Sequence, residues 1–153
     1  MDPRSKYNPD RYTRRSLRLP THDYTATGAY FITIRTYQSE SLLEIPELRT
    51  ILVETWQALP SRFPGVSLDE FVIMPDHMHF ILWLNDQVDN APPLGRVVGA
   101  YKSLTTVAWL KHIKDTHQER SGLLWQRNYF EHILQSKLQL EQRRQYIRNN
   151  PTK

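Results

Sequence analysis

The chain has 153 residues, of which 39% are hydrophobic, and this suffices for one compact domain with its own core. The absence of cysteine excludes disulfides, thiolate metal sites and a cysteine nucleophile, leaving histidine, carboxylate, amide and tyrosine chemistry. The sequence contains neither an apolar run of about 18 residues nor a leader-like segment, so we expect a soluble cytoplasmic protein without a membrane span.

The positive charge is concentrated at the N-terminus. Residues 1–20 contain six basic and two acidic residues, which accounts for the whole formal charge of +4. Two tyrosines lie among these cations, and such an arm suits single-stranded nucleic acid, although a solvated terminus explains it equally well. We therefore predict a basic arm over residues 1–20 and a single domain over residues 21–153. The candidate DNA-binding residues of the arm are Arg11, Arg14, Arg15 and Arg18.

The first half of the domain predicts a strand, a helix and a hairpin. Aromatic and β-branched residues predict a strand over Gly28–Arg35. Apolar residues at helical spacing predict a helix from Pro46 to Ala58, which we expect to end before Pro60. Two further strands are predicted over Ser67–Met74 and His77–Leu84, and the proline and aspartate between them suit a tight turn.

The second half predicts the remaining elements of an α+β domain. A long helix is predicted from Leu94 to Ile113, a fourth strand over Trp125–Leu134, and a last helix over Leu138–Asn150 that is closed by Pro151. The order βαββαβ predicts a ferredoxin-like antiparallel sheet with two helices on one face. The other face is then free for a functional site and for the additional C-terminal helix.

Two histidines in the third predicted strand are candidate metal ligands. His77 and His79 are two positions apart and therefore share one face of the strand, whereas Met78 and Phe80 point to the other. Without thiolates, such a pair could bind zinc, manganese or magnesium. For an isolated His-x-His pair, two structural histidines are the commoner explanation. Asp76 could orient one imidazole, or simply belong to the turn.

The last predicted helix carries a tyrosine on its polar side. At about 100° per residue, Tyr146 shares a face with Arg143 and Asn150, while Leu140 and Ile147 form an apolar stripe elsewhere on the helix. Tyr146 is therefore more available for chemistry than a core tyrosine, and Asn150 lies one turn beyond it. Candidate phosphate contacts are Lys102, Arg127 and Arg143, and His132 could line the site, although each could equally be a solvated or structural side chain.

Five segments resemble those of the single-tyrosine HUH transposases, which act on single-stranded DNA, and more closely those of the bacterial REP-associated tyrosine transposases. They are residues 24–34, 74–79, 101–103, 125–132 and 146–151. They occur in the family's order, and together they are highly specific.

This resemblance implies a function and a site. The nucleophile would be Tyr146, the metal-binding pair His77 and His79, and the third ligand Asn150, with Mg²⁺ or Mn²⁺ as the cofactor. The implied reaction nicks single-stranded DNA, forms a 5′-phosphotyrosine bond, releases a 3′-hydroxyl and allows strand transfer. The implied partner is hairpin-bearing repetitive DNA in the nucleoid, bound by a monomer or a homodimer.

Two other functions remain open at this stage. The first is a non-catalytic module that binds single-stranded nucleic acid on the same fold, in which the histidine pair is structural. The second is a metal hydrolase of small substrates, in which Tyr146 has no role. The sequence lacks the set of Glu or Asp ligands that a dedicated hydrolase site would usually show near its histidines, which disfavours the hydrolase, and a covalent protein–DNA adduct would exclude the module.

Overall fold

The computed structural model of the chain describes residues 28–150. Its strands are β1 (Gly28–Arg35), β2 (Val66–Ile73), β3 (His77–Leu84) and β4 (Phe130–Leu134). Its α-helices are α1 (Pro46–Arg62), α2 (Leu94–Asp115) and α3 (Lys137–Asn149), and short 3₁₀ turns lie at Tyr37–Ser39 and Leu42–Glu44. The predicted arm, with its candidate DNA-binding residues Arg11, Arg14, Arg15 and Arg18, lies outside the described residues.

The four strands form one antiparallel sheet in the order β2-β3-β1-β4. The two central strands are therefore β1 and β3, and their register places Thr33 opposite His79. On its other side β1 pairs with β4, which places Phe31 opposite His132. This arrangement confirms the predicted α+β, ferredoxin-like sheet.

The two faces of the sheet bury different cores. Alternate residues of the central strands, among them Ile32 and Phe80, pack with Trp56 of α1 and Tyr101 of α2 in the larger core. The opposite face buries a smaller cluster against α3, and its members are Ala29, Phe31, Ile81, Leu134, Leu140 and Ile147. The additional helix therefore covers the face that the first two helices leave free, as predicted. No helix within residues 28–150 is long and apolar enough to cross a membrane.

The predicted end of the first helix was wrong by about one turn. Pro60 lies inside α1, which continues to Arg62. Leu59 is buried in the line of Leu48, Leu52 and Trp56, so packing outweighs the backbone hydrogen bond that a proline removes. Near the helix end this loss is small, and the amide of Phe63 still donates to the carbonyl of Leu59 at 2.9 Å.

The predicted fourth strand is divided into two segments. Only Phe130–Leu134 forms β4, while Trp125 makes an isolated bridge to Thr36 beyond the end of β1. Between them, the Lys102 ammonium donates to the carbonyls of Gln126 and Arg127 at 2.7 and 3.0 Å. Those carbonyls bond a side chain from α2, while the amide of Gln126 still donates to the carbonyl of Arg35 at 2.8 Å, so the pairing with β1 is interrupted only beyond Gln126.

Candidate active site

The histidine pair lies at the start of β3, on the face covered by α3. The imidazole centroids of His77 and His79 are 4.8 Å apart. His79 is buried, with 5% of its surface exposed, whereas the His77 side chain keeps 19%. Met78 and Phe80 lie in the core on the opposite side of the sheet, as the strand period predicted.

Each imidazole is fixed through its Nδ1 atom by an oxygen of the same chain. Thr33 Oγ1 lies 2.8 Å from Nδ1 of His79, and Asp76 Oδ1 lies 2.7 Å from Nδ1 of His77. Asp76, for which orienting an imidazole was one of two predicted roles, therefore contacts His77. In the tautomer that donates from Nδ1, Nε2 carries a free lone pair. Nε2 of His79 is buried and has no hydrogen-bond partner among residues 28–150.

The environment of His79 keeps the ring neutral. Burial is the largest influence, and the charges of His77, Arg35 and Arg143 add to it, so that the pKa of His79 falls from 6.5 to about 4. Metal ions bind the neutral form of histidine. At neutral pH the unpartnered nitrogen is therefore in the protonation state that a metal ligand requires.

Tyr146 lies against the same histidine. Its ring centroid is 5.3 Å from that of His79 and 6.2 Å from that of Phe31, both in edge-on arrangements. The Tyr146 side chain is nevertheless 47% exposed, so a substrate could reach it. The tyrosine and the histidine pair therefore come from the same chain, because α3 packs on the sheet of its own chain.

Apolar packing and ion pairs hold the tyrosine helix in place. Leu140 and Ile147 are buried beneath it. Two nitrogens of Arg144 donate to the two carboxylate oxygens of Asp69 in β2. Two nitrogens of Arg148 donate to one oxygen of Glu70. These pairs run along the β2 side of the helix and leave Tyr146 facing the histidines.

Asn150 ends the helix, as predicted from the proline that follows it. Its backbone N–H and its side-chain Nδ2 both donate to the carbonyl of Tyr146, at 3.1 and 3.2 Å. Within residues 28–150, no group of three or more His, Cys, Asp or Glu side chains could hold a metal ion. Among residues 28–150, a third protein ligand would therefore be of another type, and the amide oxygen of Asn150 remains the prediction for it.

The predicted basic residues have different environments. Burial lowers the pKa of Lys102 to about 8, and two of its three N–H donors are used on backbone carbonyls. Arg127 is exposed beside a cleft of about 350 Å³ next to Lys102. Only Arg143 lies in the site, with its guanidinium carbon 5.8 Å from the ring centroid of Tyr146. Contacts of all three with DNA remain predictions.

His132 lies on the site face of β4, next to Phe31. Burial and the charge of Arg143 lower the pKa of His132, and its Nδ1 atom is buried without a hydrogen-bond partner among the described residues. Its register opposite Phe31 places it beside the site, on the β4 side of β1.

Sequence reasoning missed three residues of the site, all in β1. Phe31 stacks on His79 at 5.2 Å between centroids, Thr33 bonds His79, and Arg35 lies opposite His77. The period of two within Gly28–Arg35 places all three on one face, so the pattern contained this signal. Only the register with β3 shows which histidine each of them meets.

The chain belongs to the IS200-like transposase family, whose family model matches residues 30–150. A Haemophilus influenzae protein of unassigned function is 32% identical over an alignment of 173 residues in length, and the alignment covers 96% of this chain and 93% of that protein. A second protein of that organism, provisionally named a REP-associated tyrosine transposase, is 28% identical over 135 residues, covering 86% of this chain and 74% of its own length.

Two solved structures share the fold. One is a REP-associated tyrosine transposase bound to a REP hairpin, with a TM-score of 0.62 and 19% identity over 88% of this chain and 73% of that chain. The other, from Deinococcus radiodurans and provisionally described as a transposase, has a TM-score of 0.57 and 22% identity over 89% of this chain and all of the other. Within its family, the chain is thus similar to the REP-associated tyrosine transposases.

Proposed function

We propose that this protein is a metal-dependent enzyme that nicks single-stranded DNA and transfers the strand through a 5′-phosphotyrosine bond. The observation that carries the proposal is the contact between the exposed ring of Tyr146 and buried His79, whose Nε2 atom lacks a partner in the described part of the chain. Family membership supports the DNA-processing class. The REP hairpin bound by the structurally similar transposase supports hairpin-bearing repetitive DNA as the substrate.

His77 and His79 would hold a divalent cation, Mg²⁺ or Mn²⁺, with Asn150 as the third ligand. When bound, such an ion neutralises the charge of the scissile phosphate and polarises it toward attack. The contribution of the chain is to fix the ligands: Thr33 and Asp76 orient the two rings, and the burial of His79 keeps it unprotonated.

The reaction conserves the energy of the phosphodiester bond. The Tyr146 phenol oxygen attacks phosphorus, its bond to phosphorus forms as the bond to the 3′-oxygen breaks, and the phenol proton ends on that oxygen as a 3′-hydroxyl. Attack by a second 3′-hydroxyl reverses these steps and restores the phenol. No nucleotide cofactor is needed, because one ester replaces another.

The test is the formation of a covalent adduct. Single-stranded hairpin DNA labelled at the 3′ end is incubated with the protein and Mg²⁺ or Mn²⁺, and the products are separated by denaturing electrophoresis. We expect an adduct with the wild type and none with Tyr146→Phe, whose hairpin affinity and unfolding midpoint should remain close to wild type.

Tyr37→Phe provides a matched control, because Tyr37 is also exposed but lies in the turn after β1. This variant should form the adduct at the wild-type rate. Wild-type protein that binds the hairpin without forming an adduct would refute the proposed enzyme and favour a binding module. An adduct that persists in Tyr146→Phe would transfer the role to another tyrosine, with Tyr129 the first to test.

A further inference from the structure

The three arginines of α3 have different partners. Arg144 and Arg148 are bonded to carboxylates of β2. Arg143 has no carboxylate partner within residues 28–150, and its guanidinium carbon lies 4.3 Å from the ring centroid of Phe31. The sequence places all three on one short helix, but only one of these cations faces the candidate active site without an ion pair.

Phe31 connects this guanidinium to the reacting groups. One side of the phenyl ring is stacked on His79, with 5.2 Å between centroids, and Tyr146 meets the same ring edge-on at 6.2 Å. Arg143 precedes Tyr146 by one helical turn, so both side chains project to the same side of α3. Its guanidinium carbon is 5.8 Å from the ring centroid of Tyr146. The cation therefore lies within electrostatic reach of the predicted nucleophile and ligand.

Stacking fixes a guanidinium in a way that suits phosphate binding. The planar group lies on an aromatic ring while the N–H donors at its edges remain free. Two parallel N–H groups match the spacing of two phosphate oxygens, and such pairs are among the stronger hydrogen bonds in proteins. Phe31 is itself buried in the sheet, so the platform under Arg143 is rigid.

We propose that Arg143, held on Phe31 beside Tyr146, binds the scissile phosphate by donating two N–H bonds to its non-bridging oxygens. This inference rests on the proposed nicking function and assigns Arg143 a catalytic contact rather than general attraction to DNA. During attack on phosphorus, the equatorial oxygens need compensation by a fixed cation. Arg143 would supply that charge from the chain itself, in addition to the ligands on β3.

The experiment measures single-turnover adduct formation by Arg143→Ala and Arg143→Lys, together with their hairpin affinity and unfolding midpoint. Removing one preorganised donor of this kind slows a reaction by about 100-fold or more. We expect a loss of that size for Arg143→Ala with little change in affinity, and a partial loss for Arg143→Lys, which keeps the charge but not the planar pair of donors. Millimolar methylguanidinium should restore part of the rate to Arg143→Ala, a result that a purely structural role would not give.

Lys137→Ala is the matched control, because Lys137 is an exposed cation at the first position of the same helix, at the opposite end from Tyr146. It should cleave at the wild-type rate with or without methylguanidinium. The inference is overturned if Arg143→Ala cleaves like the wild type, or if its slower cleavage shows no rescue. A wild type that forms no adduct would instead refute the proposed function on which the inference rests.

Discussion

The ion pair between Asp69 and Arg144 should determine where the tyrosine helix lies. Asp69 lies at an irregularity of β2, and its side chain is only 9% exposed. Its two oxygens accept hydrogen bonds from Arg144 at 2.9 and 2.6 Å and from the indole of Trp83 at 2.8 Å. Burial raises the pKa of Asp69, but these hydrogen bonds and the charge of Arg144 outweigh it, so that the pKa is lowered overall.

Asp69→Ala would remove the acceptor that Arg144 and Trp83 share. Breaking a fully buried ion pair in this way costs about 3–5 kcal/mol. The Arg144 side chain keeps 25% of its surface exposed and retains Glu141, so we expect a loss of about 2 kcal/mol. Because α3 carries Tyr146, a displacement of the helix by about 1 Å could slow cleavage by a further factor of about 100.

The assay combines urea unfolding, followed by tryptophan fluorescence, with single-turnover adduct formation. Replacing both partners, as in Asp69→Leu with Arg144→Met, should cost less than the two single changes together, because neither buried charge is left alone. The control is Lys111→Met, which breaks an exposed pair with Asp115 and should leave the urea midpoint unchanged. The reasoning is refuted if Asp69→Ala unfolds within about 0.5 kcal/mol of the wild type, which is the error of such comparisons, and cleaves normally.

Three further predictions concern His79, Thr33 and the N-terminal arm. Folding lowers the pKa of His79 from 6.5 to about 4, so the stability that depends on the neutral ring is present above pH 6.5 and is lost as the pH falls toward 4. Unfolding measured at several pH values should show a loss of up to about 3 kcal/mol in the free energy of unfolding, and His79→Phe should lack this loss. Thr33→Val, which removes the oxygen bonded to His79, should weaken Mn²⁺ binding by about 10–100-fold in calorimetry without unfolding the protein; unchanged affinity would dismiss this orienting role. Deleting residues 1–20 removes six basic residues and should reduce the salt dependence of binding to single-stranded DNA. The slope of log affinity against log salt concentration should fall by about 0.7 for each phosphate that the arm neutralises. Equal slopes for the two proteins would show that the arm is a passive tail.

The strands were predictable wherever local patterning determined them. The limits predicted for Gly28–Arg35 and His77–Leu84 are those of β1 and β3, because hydrophobic alternation and flanking turn residues both act over a few positions. The region from Trp125 to Leu134 has similar strand-forming residues, yet only half of it pairs as a strand. In the segment between its two parts, an ammonium from α2 bonds two carbonyls, a contact more than twenty residues away in sequence that no local pattern contains.

The site was predictable as a set of motifs but not as an arrangement. The spacing of His77 and His79 placed them on one face, and helical phase placed Tyr146 outside the apolar stripe. That these two faces meet depends on α3 crossing the sheet, and the ion pairs from Arg144 to Asp69 and from Arg148 to Glu70 hold it there. A carboxylate in a strand and an arginine in a distant helix carry no sequence signal of their pairing.

Charge alone could not separate Lys102 from Arg143, since each is a cation on an otherwise amphipathic helix. Their partners distinguish them. The Lys102 ammonium is buried against two carbonyls and holds the segment after Trp125, whereas the Arg143 guanidinium lies on Phe31 with no carboxylate beside it in the described part of the chain. A cation already bonded to the backbone must give up those bonds to meet a phosphate, while a stacked guanidinium still has its donors available. For that reason we expect substitutions of Lys102 to act first on stability, and substitutions of Arg143 to act first on cleavage.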